Sequence, residues 1–359
     1  MVLPGILLSL VELTCIVTGT SKGENWWCSL LAWVIAVFTI LYCLLVIYTI
    51  VNSGNNLAGL APDIDVFFQS PSDPLLFLEY HRQFTHSLIF IPFGALIVAL
   101  LARFLLRPDL DSRTIYLSAL AGYATHGLLD SFTSYGTQLF WPFSDYRVAW
   151  DNISIVDPLF TLPLLVTILI AIRYRSNFVG VIGMAWALAY LLFGFSQYNR
   201  AMGLAESLAE SRGHEIKRLD AKPSFGNSLL FKTIYETDGF YHVDSIRVGF
   251  DALICEGARI KKLDLENQYP GLSPSDKQFE DVERFRWFSD DYLAVDSKNR
   301  IFDMRYSMLP NEIDPMWGIT LDLENPLEHV QWWTDRSLTS EERERFFDLL
   351  TKTSCPGQK

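Results

Sequence analysis

The residues of greatest chemical interest are aspartates and histidines that recur between residues 63 and 130 of the 359-residue chain. Carboxylate oxygens and neutral imidazole nitrogens are ligands for divalent zinc, manganese and iron. We therefore predict a divalent metal site, with zinc as the first choice and manganese or iron as alternatives. The six candidate ligands are Asp63, Asp65, His81, His86, His126 and Asp130.

His126 and Asp130 form the pair with the most informative spacing, because they lie four residues apart in the helix-like segment GYATHGLLDSF. Residues at i and i+4 of a helix share a face, so both can reach one ion. An ion pair that stabilises packing is the alternative, but ionisable groups in an apolar segment are costly and usually functional. The aspartates at 63 and 65 are less specific, because Asp-x-Asp is also typical of a turn.

His81 and His86 are five residues apart and cannot share a face of one regular helix, so we expect one of them to lie outside it. Three nearby residues are candidates for catalysis: Asp65, Arg82 and Asp151. A carboxylate that does not bind the metal would act as a general base. Arg82 would bind a phosphate or carboxylate of the substrate, or neutralise the neighbouring aspartates. Asp151 would support the site from behind the ligands.

The elements that position these residues differ sharply between the two parts of the chain. Residues 1–199 hold only 8 of the 29 Lys and Arg residues and 12 of the 41 Asp and Glu residues. We therefore predict a membrane domain over 1–199 that carries the metal site, and a soluble α+β domain over 200–359. The net charge of −12 argues against a nucleic-acid partner, which requires clustered Lys and Arg.

Long apolar segments in the first part predict a membrane all-α fold with about five transmembrane helices, or six if residues 1–18 also cross the bilayer. Trp26 and Trp27, at the start of the first segment, suit the membrane interface. The predicted spans are residues 29–51, 87–106, 114–132, 155–172 and 178–195.

Alternating strands follow in the second part, with hairpins predicted for 229–237 with 239–248 and for 284–295 with 300–308. A helix is predicted at 340–351, where a good N-cap precedes acidic residues and an apolar face. Cys255 and Cys355 can form a disulfide only if this domain is extracytoplasmic.

Three stretches, LAGLAPDIDV, EYHRQFTHS and the long segment that begins ATHGLLDSFTSYG, together resemble the bacterial membrane-bound metal-dependent hydrolase family. The resemblance is strongest over residues 57–200. It implies a polytopic inner-membrane protein with Asp and His metal ligands and hydrolytic activity. Members of that family usually have a further His or Gln ligand near the N-terminus, but residues 1–56 contain no histidine. Either that ligand is missing or Asn52, Asn55 or Asn56 replaces it.

The expected function is that of a membrane-embedded metal-dependent hydrolase, acting on a phosphoester or other amphiphilic substrate at the bilayer face. One alternative is an ion or metal transporter-like protein, since carboxylates in a membrane also mark ion pathways. The other is a non-catalytic membrane scaffold with a structural or decayed metal site.

Positive charge predicts the orientation, because Lys and Arg of short loops stay on the cytoplasmic side. The loops that carry most arginines would be cytoplasmic, which places the metal site and the C-terminal domain outside the cytoplasmic membrane. These arginines are Arg107, Arg113, Arg173 and Arg175.

Overall fold

The computed structural model describes residues 61–105, 111–337 and 339–355. The predicted segments at 1–18 and 29–51 lie outside the described residues, as do Asn52, Asn55 and Asn56. The described chain begins with helices and continues into two antiparallel sheets that are flanked by further helices. Two short 3-10 helices, Pro62–Phe67 and Phe84–His86, also lie in the first part.

The α-helices of the described residues are α1 (Leu76–Tyr80), α2 (Ile91–Leu105), α3 (Ser112–Ser131), α4 (Pro158–Tyr174), α5 (Asn177–Ser211), α6 (Leu265–Gln268), α7 (Lys277–Phe288) and α8 (Ser340–Thr351). Side-chain caps explain where the long helices begin. Asp111 accepts hydrogen bonds from the first amides of α3. Asp157 does the same for α4, whose first residue is Pro158, so both neighbouring positions favour a helix start.

The prediction of a membrane all-α domain with about five spans is wrong. Among the described helices only α5 is by itself long and apolar enough to cross a bilayer, and the bent pair 76–86 and 91–104, with an angle of 82°, would add a second if it formed one span. The helices α2 and α4 have 15 and 17 residues. At about 1.5 Å per residue, both are shorter than the roughly 30 Å hydrocarbon core. The apolar segments that predicted them included turn residues as well as helix.

The strands form two four-stranded antiparallel sheets, each paired in chain order. The hairpin predicted for 229–237 and 239–248 is confirmed by the pairing of β2 with β3. The first sheet comprises β1 (Arg218–Pro223), β2 (Leu230–Glu236), β3 (Phe240–Val248) and β4 (Ala252–Lys261), and the second comprises β5 (Leu293–Val295), β6 (Ile301–Asp303), β7 (Trp317–Thr320) and β8 (Gln331–Thr334).

The strand predicted at 284–295 is wrong in its first half, which belongs to α7. Val282, Phe285 and Phe288 are buried at three-residue intervals in one core cluster. That spacing is a helical stripe, because residues at i, i+3 and i+6 lie near one helix face.

Contacts link the helical part closely to both sheets. Helix α5 runs through the predicted boundary at 199/200, and its Ala201 and Ala205 pack against Phe231 and Ile246 of the first sheet. Leu78 of α1 belongs to the same core cluster as Phe285 of α7. The division into domains 1–199 and 200–359 remains a prediction, and these interfaces cross it.

A disulfide joins Cys255 in β4 to Cys355, which follows α8. The two cysteines are 100 residues apart in the chain. The C-terminal helix is therefore tied covalently to the first sheet.

Candidate metal centre

Four of the six predicted ligands meet at one point of the helical part. The first 3-10 helix provides Asp63, the second provides His86, and one face of α3 provides His126 and Asp130. Each contributes one donor atom, and the four atoms all lie within 4.8 Å of one another. The i,i+4 spacing of the two α3 residues brings both to this point, as a shared helix face requires.

The distances between these donor atoms match those expected around one small cation. His86 Nε2 lies 3.6 Å from Asp63 Oδ1 and 3.2 Å from Asp130 Oδ2. His126 Nε2 lies 3.2 Å from Asp63 Oδ1 and 3.4 Å from Asp130 Oδ2. Tetrahedral ligands with metal bonds of about 2.0–2.1 Å are separated by about 3.3 Å. The arrangement is therefore already close to the geometry of a coordinated ion.

Two of the donor atoms, His86 Nε2 and Asp130 Oδ2, are buried without a hydrogen-bond partner. They are 3.2 Å apart, but their orientation does not form a hydrogen bond between them. A buried polar atom without a partner is destabilising and requires an explanation. A cation between these atoms would satisfy both, so the donor set fits a divalent metal ion.

Electrostatic interactions within the cluster keep its carboxylates ionised. His126 hydrogen-bonds to Asp63, and the imidazole of His86 lies 3.6 Å from the same carboxylate; together they lower the pKa of that carboxyl far below its ordinary value. Burial disfavours a charged imidazole at His126, but the neighbouring carboxylates of Asp130 and Asp63 outweigh it and raise the pKa of His126 to about 9. In the absence of a metal, protons on the imidazoles balance the carboxylates. A divalent ion would replace those protons.

Asp65 lies one layer behind the four donor atoms. Its carboxylate accepts hydrogen bonds from the Thr85 hydroxyl at 2.6 Å and from the Arg82 backbone amide at 2.9 Å. It also lies 3.1 Å from Nδ1 of His86, whose Nε2 belongs to the cluster. A carboxylate that holds the far nitrogen of a ligand histidine fixes the orientation of the ring. Asp65 is thus placed to orient His86.

His81 also contacts this second layer rather than the four donor atoms. Its Nδ1 lies 2.8 Å from Asp65 Oδ1, and its ring packs edge-on against Tyr135. Neither His81 nor His86 lies in an α-helix, because α1 ends at Tyr80. One carboxylate, that of Asp65, therefore contacts both histidines of this segment.

Arg82 contacts two of the aspartates. Its backbone amide binds Asp65, while its Nε lies 3.2 Å from Asp130 Oδ2. The guanidinium also donates to the Thr133 hydroxyl at 3.0 Å. Its backbone φ of 60° is uncommon for a residue with a side chain. Of the two predicted roles of Arg82, this placement fits neutralisation of the neighbouring aspartates.

Asp151 lies at the junction with the first sheet. Its carboxylate accepts a hydrogen bond at 2.8 Å from the buried Lys222 of β1, which also pairs with Asp220. Burial raises the pKa of Asp151 to about 6. None of the described contacts of Asp151 is to the four donor residues.

Residues 36–201 match the family model of the YdjM inner membrane proteins. The match includes every candidate ligand and supports an inner-membrane location. It also supports the similarity to a bacterial inner-membrane family that the sequence motifs indicated. The uncharacterized protein YfhP of Bacillus subtilis is 32% identical over 121 residues, which are 34% of this chain and 36% of YfhP. The chain thus aligns with about a third of the length of this curated relative. No solved structure matches.

The aromatic-rich loop that follows α3, which the sequence predicts to cover the site, contributes a supporting residue, Arg147. Arg147 donates to the carbonyl oxygens of His81 and Gly136, and its guanidinium packs over the ring of Tyr135. The segment that follows α3 therefore packs over the histidine segment. Its many aromatic residues were the available sequence signal.

Gly127, beside His126, allows α3 to approach the second 3-10 helix. A Cβ at this position would lie 2.7 Å from the carbonyl oxygen of His86. We expect Gly127→Ala to push α3 away from His86 and to reduce bound metal severalfold. The matched control is Gly203→Ala in α5, where a Cβ meets no atom within 4 Å. Elemental analysis of both purified variants is the measurement, and equal metal content would contradict the packing argument.

Proposed function

We propose that this protein is a metal-dependent hydrolase of the inner membrane that acts on a phosphoester or other amphiphilic substrate. The single observation that carries the proposal is the convergence of the donor atoms of Asp63, His86, His126 and Asp130, two of which are buried without another partner. Two carboxylates and two imidazoles suit zinc first, with manganese or iron as alternatives.

These four residues would hold the ion, and the neighbouring residues would fix their positions. A divalent ion at this point would polarise a phosphoryl or carbonyl oxygen and lower the pKa of a bound water. Asp65 already accepts several hydrogen bonds, so we assign it the positioning of His86 rather than the role of general base. Arg82 would hold Asp130 and balance the negative charge of the cluster.

The substrate would approach from the side of Asp63. Its side chain is 47% exposed, whereas that of Asp130 is 15% exposed and that of His86 is fully buried. The same 3-10 helix exposes Ile64 and Phe67, which follow Asp63 in the sequence. Exposed apolar side chains beside a polar cluster favour a substrate with both a polar and an apolar part.

One observation favours a non-catalytic scaffold as the second candidate. Four protein donors complete a tetrahedral shell, which is typical of structural zinc sites, whereas catalytic zinc sites usually retain an open position. A carboxylate ligand as exposed as Asp63 could give way to water or substrate, and this favours the enzyme.

Hydrolysis by the full-length protein in mixed micelles tests the choice. The probe is a short-chain amphiphilic phosphodiester, assayed with zinc, manganese or iron(II) after chelation. We expect turnover that depends on the metal and falls at least about 100-fold in Asp63→Ala, comparable to the loss of a metal-supporting group. The control is Asp238→Ala, since the Asp238 side chain is fully exposed in the β2–β3 turn. Tight metal binding without turnover on any ester probe would support the scaffold.

We further infer that the sheets lie on the extracytoplasmic side. The disulfide between Cys255 and Cys355 supports this, because disulfides persist mainly in oxidising compartments. The connection between α4 and α5 contains Arg175, with Arg173 just before it, and arginines in short loops favour the cytoplasmic side.

The disulfide gives a separate prediction. In cells whose thiols are blocked before lysis, we expect mass spectrometry without reductant to find the Cys255 and Cys355 peptides linked. Cys255→Ser should lower the free energy of unfolding by about 2–5 kcal/mol, as for other native disulfides. Both cysteines alkylated by the blocking reagent in wild-type cells would place the sheets in a reducing compartment.

A further inference from the structure

Helix α5 changes its surroundings part-way along its length. Only 17% of the residues in its most apolar 18-residue stretch are buried within the protein. Phe178, Leu192 and Phe195 are among its exposed side chains. From Gln197 onward, the small residues Ala201 and Ala205 are buried under the first sheet. The first sheet therefore begins where the exposed apolar half of α5 ends.

One end of the first sheet is directed along α5 toward this apolar half. In an antiparallel meander alternate turns lie at the same end, so the β1–β2 and β3–β4 turns are together. Arg200 of α5 donates to the carbonyl oxygens of Val248 and Gly249 at the second of these turns. At the first turn, Ser228 donates to Asp157 at 3.0 Å, and the Tyr190 hydroxyl of α5 binds the same carboxylate.

Each of these two turns exposes a phenylalanine at its tip. Phe225 is 68% exposed, and Phe250 is fully exposed. Removal of a phenylalanine side chain from water is favourable, so two such tips exposed at one end of a sheet favour an apolar surrounding. The opposite end of the sheet is charged, with Asp238 and Lys217 paired at its surface. One end of the sheet therefore presents two exposed phenylalanine tips, whereas the opposite end presents an exposed ion pair.

We propose that Phe225 and Phe250 insert into the bilayer interface and seat the first sheet on the membrane surface. The occupant is the boundary between lipid headgroups and acyl chains, which favours aromatic rings. The proposal follows from the continuity of these tips with the exposed apolar half of α5. It does not depend on the metal centre or on hydrolysis.

The test uses full-length protein in vesicles of phosphatidylethanolamine and phosphatidylglycerol. Single cysteines for nitroxide labelling are introduced as Phe225→Cys, Phe250→Cys and, as control at the opposite end, Asp238→Cys. Cys15, Cys28 and Cys43 are first replaced by alanine. We expect the labels at 225 and 250 to collide more with oxygen than with a soluble nickel chelate. The label at 238 should show the reverse.

Two outcomes would overturn the proposal. Water-like accessibility at 225 and 250, equal to that at 238, would place the tips in solvent. Shielding of the 225 and 250 labels from both reagents would indicate a protein partner instead of lipid. Because Phe225 and Phe250 are exposed, their replacement should not disturb the fold, and an unchanged thermal unfolding midpoint of the labelled variants checks this.

Discussion

Purified His126→Ala protein should contain almost no divalent metal, whereas the wild type retains about one ion per chain. His126 Nε2 lies between Asp63 and Asp130, at 3.2 and 3.4 Å from their oxygens. Its removal leaves a three-donor set with two carboxylates facing each other across a cavity. Elemental analysis after dialysis against a weak chelator is the measurement. We expect a fall in affinity of at least about 100-fold, because structural zinc binding of about 10–16 kcal/mol is shared among four ligands.

His214→Ala is the matched control, because His214 contacts Tyr235 in the first sheet. It should retain the full metal content. Metal retained in His126→Ala, or absent from wild-type protein prepared without chelators, would remove the basis for the proposed hydrolase. A loss of metal in the control variant would show that the measurement follows folding rather than ligation.

Arg284→Met should destabilise the protein by about 3–5 kcal/mol, because it removes the shared partner of three carboxylates and leaves only His329, among the described basic side chains, beside the buried Asp281. Arg284 of α7 binds Asp73, Glu79 and Asp281, and the Asp281 side chain is fully buried. Its side chain is itself only 14% exposed. The same guanidinium joins the chain before His81 to the C-terminal part.

Arg286→Met, two residues along the same helix, is the control. Arg286 pairs with Glu283 and Asp291, whose side chains are 46% and 37% exposed. Exposed pairs contribute about 0–1 kcal/mol. Thermal or denaturant unfolding in detergent micelles should separate the two variants clearly. Equal stability of both would mean that the Arg284 cluster does not hold the two parts together.

The sequence indicated the segments that meet at the candidate site, but it could not separate possible ligands from supporting residues. His126 and Asp130 are related by helix geometry, which a sequence reports directly. Asp63 and Asp65 have the same side chain, but Asp63 faces the donor cluster and Asp65 faces Thr85 and Arg82. This difference depends on the 3-10 helix that holds them. The partner of Asp151, Lys222, is 71 residues away in the chain and is reached only through the fold.

The fold was harder to predict in the apolar segments, because apolar composition alone does not distinguish a membrane span from a shorter helix with adjoining turns. Windows of hydropathy do not register the turn before Ile91 or the cap at Asp157, which lie inside two of the predicted spans. They therefore joined turns and short helices into spans. Just before the second sheet, Phe285 and Phe288 favoured a strand by residue type, whereas their three-residue spacing belongs to a helix.

With α5 as a membrane span, its uninterrupted course would couple the bilayer mechanically to the first sheet. The helix has 35 residues, about 52 Å in length at 1.5 Å per residue. Its apolar residues 178–195 span about 27 Å, slightly less than a typical hydrocarbon core of roughly 30 Å. A membrane whose hydrocarbon core is thinner than this apolar length would tilt the helix, because a hydrophobic stretch longer than the core is accommodated by tilting. Since the first sheet packs on the C-terminal half of the same helix, a change in tilt would move the sheet relative to the lipid surface.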